Sequence, residues 1–195
     1  AIIPDQIEAG TYMAAVAATG GQILVKNIIP KHMDCITAKL QECGVEVEEQ
    51  DDTLLVRRTA RLKKANVKTL PYPGFPTDMQ PQMTTVLTLA QGTSLVTEGV
   101  WSSRYRYVDE LKRMGARIQV DDKTAVVEGV ETAENERFIP GAIFLICIAA
   151  SIAIVPEPQN GSHRSTSSLG RLIFTIAAAR VSRMGASTVS GRYPL

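Results

Sequence analysis

Met13-Ala14-Ala15-Val16-Ala17-Ala18 is a run of small apolar residues with no polar face. A helix of that composition is buried on every side rather than along one stripe. The run therefore predicts a helix over Tyr12 to Ala18 at the centre of a domain. Outward from it, glycine leads to a strand over Gln22 to Lys26, and an amphipathic helix follows over His32 to Cys43. Gly44 ends that helix as a left-handed cap. Two short strands, Val45 to Glu49 and Leu54 to Arg57, then form a hairpin with Asp51-Asp52 at its turn.

The same order recurs. A shift of 71 residues places Gly21 on Gly92, Val25 on Val96, Leu40 on Leu111, Gly44 on Gly115, Thr53 on Thr124 and Val56 on Val127. The second copy predicts a helix within Gln82 to Ala90, apolar from Met83 on, then a strand over Ser94 to Thr97 and a helix over Tyr105 to Met114. A hairpin of Arg117 to Val120 with Ala125 to Glu128 closes it, turning at Asp121-Asp122. The pattern by itself supports a βαβ-like repeat, with residues 1–66 as one unit and 67–130 as the next. Residues 131–195 are either a degenerate third unit or a non-native one. Arg183-Met184-Gly185-Ala186 echoes Arg113-Met114-Gly115-Ala116, as a degenerate unit would. A reading-frame error would equally keep length and lose motifs; intact motifs in another frame of the encoding DNA would exclude degeneracy.

The stretch Leu70-Pro71-Tyr72-Pro73-Gly74-Phe75-Pro76-Thr77-Asp78-Met79 joins the two units. Its prolines fix a stiff, non-helical backbone. It delivers one acid, Asp78, to the mouth of the next helix, as a positioned site carboxylate or as a plain helix N-cap.

Phe75-Pro76-Thr77-Asp78-Met79-Gln80, with Leu70-Pro71-Tyr72-Pro73 before it, resembles a signature of the UDP-N-acetylglucosamine enolpyruvyl transferases, the 1-carboxyvinyltransferases that open peptidoglycan synthesis. Ile3-Pro4-Asp5-Gln6-Ile7-Glu8-Ala9-Gly10-Thr11 resembles the start of that family's second lobe, and Val108 to Ala116 a helix and turn within it. The resemblance runs from about Ala1 to Val130. It implies an α/β fold, an inside-out α/β barrel lobe built from repeated βαβαββ units, with sheets facing solvent and helices inside. It also implies that the chain, opening within a mid-protein motif, is a fragment of a longer protein.

The implied reaction moves the enolpyruvyl group of phosphoenolpyruvate to the 3-hydroxyl of UDP-N-acetylglucosamine. A hydroxyl needs a base to become a nucleophile, and Asp78 matches the family acid in that role. In Gly99-Val100-Trp101-Ser102-Ser103-Arg104, Val100 matches a position whose backbone contacts the sugar nucleotide. Arg104 matches a site arginine suited to an anion; otherwise it is a solvated charge at a helix start. Trp101 stands where phenylalanine is usual, Ser102-Ser103 replace Glu-Asn, and Gln6 replaces an arginine. The family's cysteine loop and phosphoenolpyruvate-binding cations belong to a first lobe that has no match here. This chain alone is therefore expected to be inactive, and its partners to be the two substrates and that lobe. The shikimate-pathway enolpyruvyl transferase shares the repeat architecture but not the Phe75 to Gln80 loop. A non-catalytic interaction module derived from the enzyme is the alternative from another class.

Composition narrows the rest. The chain has 195 residues, 45% of them apolar and 21% charged, enough for a sizeable core. A net charge of +1 gives no field for nucleic acid, and the basic run from Arg57 to Lys68 reads as solvated. Cys35, Cys43 and Cys147 have no C-x-x-C spacing, and His32 and His163 are the only histidines, so neither a disulfide framework nor a metal or cofactor site is expected. The uncharged run from Ala142 to Val155 is shorter than the roughly 20 residues that cross a bilayer, and reads as a buried helix. With no signal peptide, the cytoplasm is the expected location.

Overall fold

The computed structural model describes residues 3–102 and 104–129. The expectations placed on residues 131–195, including the third unit, Cys147, His163 and the apolar run 142–155, lie outside those residues.

Helix α1 (Gln6–Thr19) begins where Asp5 accepts the Ile7 amide at 2.7 Å, which satisfies one orphan donor of the first turn. From Ala9 to Thr19 every residue but Tyr12 is buried, so α1 is enclosed nearly all round. Gly10 makes the close approach possible. A Cβ there would stand 2.9 Å from the Met79 sulfur and 3.0 Å from the Ile36 side chain.

Strand β1 (Gly21–Lys26) leads to α2 (Pro30–Glu42), whose inward stripe is Met33, Ile36 and Leu40. Gly44, at φ +86°, ends α2 in a Schellman motif, with Val45 N–H bonded to Leu40 C=O and Gly44 N–H to Gln41 C=O. The hairpin β2 (Glu46–Gln50) and β3 (Thr53–Arg58) follows, and β3 is central in an antiparallel sheet of order β1-β3-β2.

The second part starts with β4 (Val67–Lys68), a 3-10 turn (Thr77–Met79) and α3 (Gln80–Leu87). Then come β5 (Thr93–Thr97), α4 (Tyr107–Arg113), β6 (Arg117–Asp121) and β7 (Thr124–Glu128). Gly115, at φ +103°, repeats the Schellman ending with Ala116 N–H on Leu111 C=O. The sheet order is β4-β5-β7-β6, with β4 parallel to β5 and the other pairs antiparallel.

Each sheet buries one face. Leu54 and Val56 of β3, Val96 of β5, and Ala125 and Val127 of β7 join the core made with α1 and α3, while alternate residues face out. The fold is thus mixed α/β, with α1 and α3 buried against the apolar faces of the sheets.

Several details differ from the sequence expectations, the largest being that α1 begins at Gln6 rather than Tyr12. α3 starts at Gln80 and ends at Leu87 rather than running to Ala90, because Leu89 and Ala90 bond to Val86 and Leu87 in i→i+3 fashion and tighten the last turn. The second hairpin turns at Asp122-Lys123, not Asp121-Asp122. The register pairs Asp121 with Thr124, which keeps Asp121 in the strand. β4, unforeseen in sequence, is two residues long and below any periodic signal.

Candidate functional site

The stiffness of the Leu70 to Pro76 loop is visible in its bonds. Leu70 N–H donates to Phe75 C=O at 3.0 Å and Gly74 N–H to Pro71 C=O at 2.8 Å, and Phe75 is buried as an anchor. The loop empties into the 3-10 turn that carries Asp78. Asp78 does not cap α3, whose first turn has no side-chain cap. Its carboxylate instead accepts from Arg104 Nη2 at 2.5 Å, a charge-assisted contact across 26 residues. The N-cap alternative is excluded by that geometry. Arg104 Nη1 also reaches Thr77 Oγ1 at 3.3 Å.

Between these groups lies Glu98, which sequence reasoning missed. It is 1% exposed and follows β5. Its Oε1 accepts from Thr69 Oγ1 at 2.6 Å, Val100 N–H at 2.8 Å and Trp101 N–H at 3.1 Å. Its Oε2 accepts from Thr77 Oγ1 at 2.9 Å and Gln80 Nε2 at 3.0 Å. Burial pushes this carboxyl up, but the hydrogen bonds from Thr69, Val100, Trp101 and Thr77 together outweigh it and hold it below the usual carboxylate range. A signal did exist in sequence: Ser94 and Val96 face inward, and period 2 carries that face to Glu98.

Gln80, fully buried, passes the network on by accepting from Tyr107 Oη at 3.2 Å. Tyr107 also shares a hydrogen bond with Thr84 at 2.9 Å, and burial pushes its phenol far up. Tyr105 donates to the carbonyls of Val96 and Lys123, and burial pushes it up to about 12. Gly99 sits where a Cβ would overlap the carbonyl oxygen of Thr69, the residue that follows β4.

The predicted residues Asp78, Val100 and Arg104 are therefore brought together. Asp78 and Arg104 touch. Val100 joins through Glu98, which takes its N–H, and its side chain is exposed. Trp101 is 57% exposed and Tyr72 69%, apolar surface beside polar groups. Ser103 lies outside the described residues, and Gln6 stands in the first turn of α1. Cys43 is fully buried and its thiol is pushed up to about 12 by burial. Among the described residues no helix is long and apolar enough to cross a membrane.

Comparison with known proteins places the chain among relatives. Over 129 residues the chain is 57% identical to a UDP-N-acetylglucosamine 1-carboxyvinyltransferase of Clostridium botulinum, covering 66% of this chain and 31% of that protein. A protein of the same name from Desulfofundulus thermocisternus is 53% identical over 135 residues, 69% of this chain and 56% of its own length. The chain thus spans about a third of the first relative and little more than half of the second. Among solved structures, the enolpyruvyl transferase NikO from Streptomyces tendae superposes with a TM-score of 0.58 at 23% identity, over 76% of this chain and 37% of that one, and so shares its fold. The profile described as EPSP synthase (3-phosphoshikimate 1-carboxyvinyltransferase) matches residues 1–144, most of the chain, and the chain belongs to that family.

Proposed function

We propose that this chain forms one lobe of a UDP-N-acetylglucosamine 1-carboxyvinyltransferase. The reaction moves the enolpyruvyl group of phosphoenolpyruvate to the sugar-nucleotide 3-hydroxyl as the committed step of peptidoglycan, and so cell-wall, synthesis in the cytoplasm. The carrying observation is the contact of Asp78 with Arg104, which gathers the Phe75 to Gln80 and Gly99 to Arg104 segments at one place. The sugar-nucleotide branch is favoured over the shikimate branch because the relatives at 57% and 53% identity bear that name.

In this reading the lobe is an inside-out barrel of βαβαββ units, of which residues 1–66 and 67–130 are two. Support comes from the paired Schellman endings at Gly44 and Gly115 and from Gln82 donating to Thr11, two residues 71 apart.

Asp78 is the base. It takes the proton of the 3-hydroxyl as the hydroxyl oxygen bonds to the enolpyruvyl carbon, and the carbon–oxygen bond to phosphate breaks in the overall exchange. Arg104 has more N–H donors than its contacts with Asp78 and Thr77 use, so it can hold Asp78 and still meet an anionic oxygen. Val100 presents its carbonyl to the sugar nucleotide, and Trp101 an aromatic face. Phosphoenolpyruvate requires cations from a first lobe, and the cleft requires both lobes to exclude water. Alone, this chain does not turn over.

Titration of the full chain with UDP-N-acetylglucosamine, followed by amide NMR, tests the reading. Shifts around Asp78 and Val100 that vanish in Asp78→Ala are expected. A well-dispersed spectrum with no shifts would favour a non-catalytic module. Reconstituted with a relative's first lobe, Asp78→Ala should lower turnover by on the order of 10² to 10⁴; near-native turnover would remove Asp78 from the role.

A further inference from the structure

Five donors converge on Glu98, three on Oε1 and two on Oε2. An ionised carboxylate accepts on both oxygens with no proton of its own in the way; a carboxamide of the same shape turns an NH₂ toward one set of donors. The consequences spread outward through hydrogen-bond direction. The Thr77 hydroxyl has a single proton, and donating it to Glu98 leaves a lone pair facing Arg104 Nη1. Arg104, steadied there, points Nη2 at Asp78. On the other side the Val100 and Trp101 amides are turned inward onto Oε1, which sets the direction of the loop between β5 and α4. Buried networks of this kind hold one geometry only when every member is satisfied.

We propose that Glu98 is the positioning residue of the site: it sets the Thr77 rotamer that steadies Arg104 against Asp78, and it orients the Val100–Trp101 backbone, so that both ligand-facing segments are held in one frame. The inference rests on the reading of these segments as a sugar-nucleotide site, but its geometric core does not require a ligand.

The test uses the full chain, isotope-labelled, as Glu98→Gln, Thr77→Val and Thr77→Ser. In Glu98→Gln, exchange of the Val100 and Trp101 amides should quicken about 10- to 100-fold, as loss of a charged hydrogen bond implies. The Asp78 carboxyl and Arg104 guanidinium signals should move, while the Leu54 and Val56 amides of β3 stay in place. Thr77→Val should move the Asp78 and Arg104 signals and leave Val100 and Trp101 protected. Thr77→Ser, which keeps the hydroxyl, should restore them, a rescue that a merely structural role does not predict. Unmoved Asp78 and Arg104 signals in both Glu98→Gln and Thr77→Val would overturn the proposal. Should Glu98→Gln lose its β3 signals, the Thr77 pair decides.

UDP-N-acetylglucosamine added to each variant separates the two readings. Binding by the unsubstituted chain that weakens about 10-fold or more in Glu98→Gln supports both. No response from the unsubstituted chain counts against the sugar-nucleotide site, while the ligand-free signals still decide the positioning role.

Discussion

At the scale of single residues, the site is built from acceptors and donors whose directions leave little freedom. Gly99 shows how tightly. Its backbone passes so close to Thr69 that a methyl group would enter the Thr69 carbonyl, and its own N–H donates to Thr69 Oγ1 at 2.9 Å. Gly99→Ala should therefore destabilise the protein by about 1–3 kcal/mol, the usual range for forced overpacking, measured as a shift in the urea midpoint. The damage should concentrate at the Val100 and Trp101 amides. Unchanged stability would mean that the two segments can move apart, and the rigid frame around Glu98 would lose its basis. Asp78, read in sequence as a site acid or a helix cap, makes no cap bond to α3. Its partner is an arginine 26 positions away, beyond the reach of any spacing rule.

At the scale of elements, helices and hairpins follow local chemistry. Asp5 caps α1, Pro30 opens α2, and the glycines at 44 and 115 end α2 and α4 at positive φ. Asp51 and Asp122, each at positive φ, make the first residue of the two hairpin turns, a conformation that aspartate tolerates better than most side chains. Because α1 is otherwise held by burial, its cap is a separable contribution. Asp5→Ala should cost about 1 kcal/mol and quicken exchange at the Ile7 amide without touching the Glu98 network. A loss several times larger would show that Asp5 serves a second structural purpose. The elements that escaped sequence reading are the two-residue β4 and the 3-10 turn at Thr77–Met79. Both are too short to carry a period and both lean on distant partners, Val96 for Val67 and Glu98 for the Thr77 hydroxyl.

At the scale of the whole molecule, Glu98 links folding to pH. Its carboxyl lies below the usual range in the folded state, so its contribution to stability is fully present above that range and disappears as pH falls through the folded value. Urea midpoints taken from pH 7 down to about pH 3 should show an acid-side loss for the unsubstituted chain that is shallower in Glu98→Gln, because that variant has no proton to take up there. Parallel curves would mean that the Glu98 carboxyl takes up its proton equally readily folded and unfolded, so that its hydrogen bonds do not hold it down. The single apolar cluster that joins α1 and α3 to both sheets makes this loss global, since the strand preceding Glu98 is part of that core.

The sequence by itself determined the helices, the hairpins, their order and the shared offset of 71 residues, because capping, turn preference and periodicity act within a few residues along the chain. It also marked Asp78, Val100 and Arg104 through resemblance. Only the tertiary structure decided that Asp78 faces Arg104 rather than capping α3, that β4 pairs in parallel with β5, and that Glu98 lies at the centre of the site. Those outcomes depend on groups 18 to 29 residues apart meeting in a closed core. There an ionised carboxylate survives only where packing has first gathered enough donors around it.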